Sequence, residues 1–111
     1  MGSRKILEYQ DAHGRSPFAR WLDALDPLAA RRVRVAMYRL AEGNDSALMP
    51  IGSGLSELKI HHGPGLRVYL AVQRDELVVL LGGGTKARQQ RDIDAAKDAW
   101  RDYQARKAGG G

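Results

Sequence analysis

Two runs of alternating residues meet at Gly63-Pro64-Gly65, and this hairpin constrains the fold more than any other segment of the chain. The first run reads Gly54-Leu-Ser-Glu-Leu-Lys-Ile-His-His62 and the second Leu66-Arg-Val-Tyr-Leu70. Residues two apart on a strand share a face. Glu57, Lys59 and His61 therefore align on one strand, and Arg67 and Tyr69 on the next, while their neighbours fill a core. Loop length decides which side chains meet across the pair. A two-residue Pro64-Gly65 turn would set His62 opposite Arg67 and Ile60 opposite Tyr69, mixing polar and core positions. A three-residue loop sets His61 opposite Arg67 and Lys59 opposite Tyr69, with Leu58 and Ile60 facing Leu70 and Val68. Gly65 supplies the left-handed residue that such loops end on. Hydrophobic sorting selects the odd loop, and one sheet face then carries cations, a phenol and an imidazole, groups suited to holding phosphate and moving protons.

The remaining segments sort readily. Lys5 to Tyr9 fits a first strand. Ser16-Pro17 joins an N-cap to a proline at the first helical position, opening a helix through Phe18, Trp21, Leu22 and Leu25. Asp26-Pro27 repeats the signal, so a second helix runs from about Leu28 to Glu42 and stops at Gly43. Its stripe of Ala29, Val33, Ala36, Met37 and Leu40 faces a core. Arg31, Arg32, Arg34 and Arg39 take the rest of the circumference, as a solvated basic face or a docking surface for RNA phosphates or an acidic partner. Residues 43–54 read as a polar loop holding Met49 and Pro50. Strands follow at 55–62, 66–73 and 77–81; the last does not alternate, which suits burial on both faces in mid-sheet. A final helix over 90–106 sets Ile93, Ala96, Trp100 and Tyr103 on one side. The sum is β-α-α-β-β-β-α, an α+β domain over residues 1–108 with an antiparallel sheet packed against helices. A flexible glycine tail occupies 109–111, and the first few residues are read as loose.

Composition narrows the chemistry. The chain has 111 residues and no cysteine, which excludes disulfides and thiolate catalysis. Its net charge is +5 and its pI about 9.9, with arginine far more frequent than lysine, a bias that suits phosphate or an acidic protein partner. No apolar run approaches the roughly 20 residues of a membrane span, and the N-terminal segment has no signal-like apolar core. A cytoplasmic protein without membrane association is expected. Gly82-Gly83-Gly84 removes bulk beside the sheet, just before Lys86, Arg88, Gln89 and Gln90, and permits close approach of a ligand. It lacks the Gly-Lys-Ser/Thr of a P-loop. His61 and His62 point to opposite strand faces and cannot chelate together, so neither metal nor cofactor is expected. Asp92 is either a helix N-cap or a group that orients a basic side chain. Trp21 and Trp100 fall on helical stripes as core residues.

Taken together, these motifs make the chain similar to the HigB-like addiction module killer branch of the RelE/ParE toxin superfamily, from about Phe18 to Ala96. The resemblance rests on Trp21-Leu22, Gly43-Asn44, Gly54 to Ile60, Gly63 to Tyr69, Leu80 to Lys86, Gln89 and Asp92-Ile93. It implies a RelE-like fold and the toxin half of a type II toxin–antitoxin pair. Such toxins cut messenger RNA in the ribosomal A site and are neutralised by an antitoxin, in this branch a HigA-like helix-turn-helix protein. Carried over by motif position, Lys59, Arg67 and Lys86 bind phosphate and act in catalysis, with Tyr69, Gln89 and Asp92 beside them. The sequence departs from the pattern at Lys59, often Arg, at Leu66, often Tyr, and at Thr85, often Asp.

The expected chemistry is metal-independent RNA cleavage by attack of a ribose 2′-OH on the adjacent phosphorus. Arg67 stabilises the developing charge, and Lys59 and Lys86 hold flanking phosphates. Either His61 or Glu57 serves as base, and either Tyr69 or Lys86 as acid. Arg88, Gln89, Gln90 and Asp92 contact the RNA. Two other functions are open to the same sequence: a non-enzymatic ParE-type inhibitor of DNA gyrase, and a basic nucleic-acid-binding module without catalysis.

Overall fold

The computed structural model describes residues 3–109. Its element order is β1 (Lys5–Glu8), α1 (Pro17–Asp23), α2 (Pro27–Ala41), β2 (Leu48–Gly52), β3 (Leu55–Ile60), β4 (Leu66–Gln73), β5 (Leu77–Thr85), a 3-10 turn (Lys86–Arg88) and α3 (Gln89–Gly109). Both helix starts follow the sequence signals. The Ser16 hydroxyl accepts from the Ala19 N–H at 3.0 Å, and the Asp26 carboxylate accepts from the Ala29 N–H at 2.9 Å. Each satisfies one of the donors a helix start leaves free. α2 closes on Gly43, whose φ of +94° is easily adopted without a Cβ.

The five strands form one sheet in the order β1-β5-β4-β3-β2. Three differences from the sequence reading matter. β2 is a strand, antiparallel to β3, where a loop was expected. Met49-Pro50 conceals it because a proline is tolerated in a sheet only where its missing N–H faces away from the ladder, and β2 lies at the sheet edge. β1 pairs with β5 in parallel, from Lys5↔Leu77 to Glu8↔Leu80, so the sheet is mostly rather than wholly antiparallel. β5 continues through the three glycines to Thr85, with a register shift opposite Tyr69 and Leu70.

The hairpin register differs from the expected pairing by two residues. Ile60 pairs with Leu66, Lys59 with Arg67, Leu58 with Val68 and Glu57 with Tyr69. The loop is therefore His61 to Gly65, longer than the predicted one but still odd in length, so the sorting of residues between faces is preserved. Gly63 and Gly65 take φ of +55° and +98° within it.

Helices cover both faces. On one, Leu58, Val68, Leu70, Val78 and Leu80 pack against Phe18, Val33, Met37 and Leu40 of α1 and α2. On the other, Tyr69, Ala71, Val79 and Leu81 pack against Ala96, Ala99 and Trp100 of α3. Tyr9 ties β1 to this layer by donating its hydroxyl to Asp102 at 2.6 Å. α3 extends through Ala108 and Gly109; Met1, Gly2, Gly110 and Gly111, where loose ends were expected, lie outside the described residues.

Candidate functional site

The face under α3 holds the polar residues that alternation singles out, and the start of α3 roofs them. Glu57 on β3 is 4% exposed, Arg67 on β4 is 6% exposed, and Tyr69, two residues on, is fully buried. Arg67 Nε lies 3.5 Å from Glu57 Oε1, and Gln89 Nε2 donates to the same oxygen at 2.8 Å. Gln89 opens α3, so this bond fastens the helix start to the sheet. Two buried polar atoms of the cluster, Arg67 Nε and the Tyr69 hydroxyl, have no hydrogen-bond partner. Buried donors are normally paired, because leaving one unmatched costs about 1–3 kcal/mol.

Asp92 completes the roof. Arg67 pairs across the sheet with Gly84, and a Cβ on Gly84 would fall 1.9 Å from Asp92 Oδ2. The glycine thus lets the carboxylate rest directly on the β5 backbone. Asp92 lies within the first turn of α3 rather than at its N-cap. Burial raises its pKa, against the opposing pull of Arg88 and Arg91. The Tyr69 phenol is pushed up to about 12, chiefly by burial and then by the negative charges of Glu57 and Asp92, against Arg67. At neutral pH it is therefore protonated.

The other candidates surround this cluster or stand apart from it. Lys59 is exposed directly across the ladder from Arg67. Lys86, Arg88 and Gln90 are exposed on the turn and first helical residues that follow β5. His61 does not join the polar face: it leaves the strand into the loop, becomes exposed, and lines a groove along α2 instead. The shift follows from the longer hairpin loop. His62 approaches Asp26 at 3.8 Å. Arg31, Arg32, Arg34 and Arg39 are exposed on α2, and all but Arg34 line that same groove. Among the described residues, no group of three or more His, Asp or Glu could hold a metal ion. Among the described residues, no helix is long and apolar enough to cross a membrane.

Gly83 plays the matching part on the opposite face. A Cβ there would meet the Trp21 ring at 2.3–2.6 Å, so this glycine admits the indole of α1 as Gly84 admits Asp92. The glycine run thus marks close packing of a ring on one face and a carboxylate on the other.

The profile of the family described as Phage derived protein Gp49-like (DUF891) matches residues 20–103. An uncharacterized protein of Haemophilus influenzae (strain ATCC 51907 / DSM 11121 / KW20 / Rd) is 41% identical over 81 residues, covering 72% of this chain and 82% of that protein.

Proposed function

The chain belongs to the phage-derived Gp49-like family, a family of RelE-like addiction-module toxins with antitoxin partners, and on that premise we propose that it is a cytoplasmic, HigB-like endoribonuclease that cuts messenger RNA on the ribosome. The observation that carries this reading is the cluster of Glu57, Arg67 and Tyr69 under the start of α3, with unpartnered donors in its interior and Lys59, Lys86 and Arg88 at its rim. A cluster built only for stability would pair its donors internally.

In the proposed reaction, the 2′-oxygen forms a bond to phosphorus as the bond from phosphorus to the 5′-oxygen breaks. The products are a 2′,3′-cyclic phosphate and a free 5′-OH. Arg67 neutralises charge on the phosphorane, a role in which loss of one donor typically costs about 10²–10³ in rate. Glu57 takes the 2′-OH proton; its contact with Arg67 favours it over His61, which lies in the exposed loop. Tyr69, protonated at neutral pH, delivers a proton to the 5′-oxygen. Lys59 and Lys86 hold the flanking phosphates, and Arg88, Gln90 and Asp92 guide the strand along the helix start. Substrate entry requires Gln89 to release Glu57. The positive end of α3 adds to the pull on an anionic ligand.

The near-complete burial of Glu57 and Arg67 also favours a second reading, in which the pair only anchors α3 and the chain inhibits a protein target such as gyrase without cleaving RNA. Mapping transcript 5′ ends soon after induction separates the two. New ends inside translated codons, lost in Tyr69→Phe, are expected for the nuclease. Intact transcripts with arrested replication would replace it with the gyrase reading.

A further inference from the structure

A cavity of about 380 Å³ beside α1 shares no lining residue with the cluster or with the α2 groove. Asp11, Arg15, Pro17, Arg20 and Trp21 line it. Arg15 and Arg20 are exposed, and among the described residues neither guanidinium forms a salt bridge. Trp21 is half-buried, whereas Trp100 is only 7% exposed. The Trp21 indole rests on Gly83 and lies 6.0 Å from the Phe18 ring at a tilt of 52°, which fixes its pose and leaves its remaining surface to the cavity. Asp11 is the acid of the lining. Its Oδ1 accepts the His13 and Arg15 N–H groups at 2.8 and 3.0 Å, which holds the loop that presents Arg15 and leaves Oδ2 as an acceptor.

The β5 edge beside Trp21 is bare. β1 pairs with β5 only as far as Leu80, whose carbonyl accepts the Tyr9 N–H at 2.9 Å. From Leu81 to Thr85 the strand therefore has a partner on the β4 side alone. Gly82 differs from the two glycines that follow it: a Cβ there would meet nothing within 4 Å, and its φ is not left-handed. Neither packing nor backbone conformation requires glycine at this place, and glycine weakens a strand. Gly82 pairs with Tyr69, so the space it leaves opens on the face of the cluster.

We propose that the cavity at Arg15, Arg20 and Trp21 is a second nucleotide subsite for the same RNA, an assignment that rests on the nuclease reading above. The base of a nucleotide near the reacting one stacks on the Trp21 indole, its phosphate meets the two guanidinium groups, and the strand reaches it from the cluster over Gly82. The lining selects this ligand. Aromatic ring against base and guanidinium against phosphate are the pairings that bind single-stranded RNA. An acidic peptide would satisfy the arginines but leave the indole without an apolar partner. Asp11 repels a phosphate yet accepts an N–H from a base edge, which sets the base rather than the phosphate beside it.

The test uses the full chain, adenosine 5′-monophosphate, and a hexa-adenylate RNA whose 2′-oxygens are methylated so that it cannot be cut. The hexamer is expected to quench Trp21 fluorescence over a constant background from the sealed Trp100. Arg15→Ala/Arg20→Ala alters two exposed side chains and should keep its thermal midpoint. It is expected to bind the hexamer about tenfold more weakly and to flatten the dependence of log affinity on log salt by about 1.4, at ~0.7 for each phosphate contact on a single strand. Gly82→Val should fold and keep the weak quenching by the mononucleotide, but lose the added affinity of the hexamer. If the valine lowers the midpoint, Gly82→Ala carries the same test. Unchanged hexamer affinity and salt slope in the arginine variant overturn the subsite and leave the nuclease reading standing. Mononucleotide binding as tight as that of the hexamer, undisturbed by Gly82→Val, assigns the cavity to a free nucleotide and overturns the RNA path. Intact transcripts on induction of the unaltered chain, with arginine-dependent quenching by the hexamer retained, overturn the nuclease reading alone.

Discussion

The two faces of the sheet are built to different rules. Under α1 and α2 the packing is aliphatic and aromatic, with Val33, Val68, Leu70 and Val78 sealed from solvent. Under α3 the same strands carry an apolar end around Val79 and Trp100 and a polar end around Glu57, Arg67 and Tyr69. Apolar burial contributes about 25 cal/mol per Å², whereas a buried ion pair with unmatched donors gains little or nothing over apolar residues of equal volume. The first face explains why the chain folds. The second accepts a stability cost at one end, where the proposed site lies.

Truncating that end should give the largest effect. Arg67→Ala leaves Glu57 buried without its cation and is expected to cost about 3–5 kcal/mol in denaturant unfolding. That is comparable to Leu70→Ala on the opposite face, for which about 2–5 kcal/mol is typical. Loss of toxicity in Arg67→Ala therefore cannot by itself identify a catalytic group. Glu57→Leu/Arg67→Met separates the issues: it should regain wild-type stability or better, yet inhibit growth no longer. A large loss of stability in that double variant would break the contrast between the faces.

The adjacent glycines test the same contrast one residue apart. Gly83→Ala pushes a methyl into the Trp21 ring and is expected to cost about 1–3 kcal/mol, the usual penalty for overpacking. At Gly84 the atoms nearest an added methyl belong to the Asp92 side chain, with the carboxylate closest, and that group can rotate aside. The thermal midpoint of Gly84→Ala should fall less than that of Gly83→Ala while growth inhibition falls more. Equal midpoints and equal inhibition would mean that the two faces do not differ in kind here.

Such pairs also show what the sequence disclosed. The alternation from Leu55 to Leu70 assigned side chains to faces correctly because any odd hairpin loop preserves that parity. It could not tell a three-residue loop from the observed one, so His61 was placed on the face instead of in the loop. The caps at Ser16 and Asp26 act within one helical turn and were therefore readable. β2 has no alternation to reveal it, since Met49 and Pro50 lie on an exposed edge. Nor does local pattern report tertiary cover: nothing between Glu57 and Tyr69 indicates that α3 closes over them.

Tyr69→Phe is a smaller and cleaner perturbation. The hydroxyl has no partner, so its removal should change stability at neutral pH by no more than about 0.5 kcal/mol in either direction. At high pH the two proteins should diverge. The native phenol holds its proton to about 12, whereas an ordinary one releases it near 10. The unfolded chain therefore ionises first, and Tyr69 lowers stability as pH rises through that interval. The variant lacks this loss, and absorbance titration should show one fewer late-ionising tyrosine. A phenol that titrates in the ordinary range would place Tyr69 in contact with water and weaken its assignment as the acid.

The smallest expected effect sets two aspartates against each other, one serving each face. The Ala29 N–H bond lowers the pKa of Asp26, so this cap contributes stability above the ordinary value of 3.8 and loses it as pH falls through its native pKa. Burial raises the pKa of Asp92, so the unfolded chain gives up that proton first. Stability then declines as pH rises from 3.8 to the native value of Asp92, and the deficit persists at neutral pH. Asp92→Asn should accordingly gain in thermal midpoint relative to the unaltered chain as pH rises above 3.8, whereas Asp26→Ala should lose as pH rises toward 3.8 from the native value of Asp26. Difference curves of opposite slope would place structural demand at the α2 cap and a tolerated cost at the start of α3. Parallel slopes would mean that Asp92, like Asp26, is there to hold its helix in place.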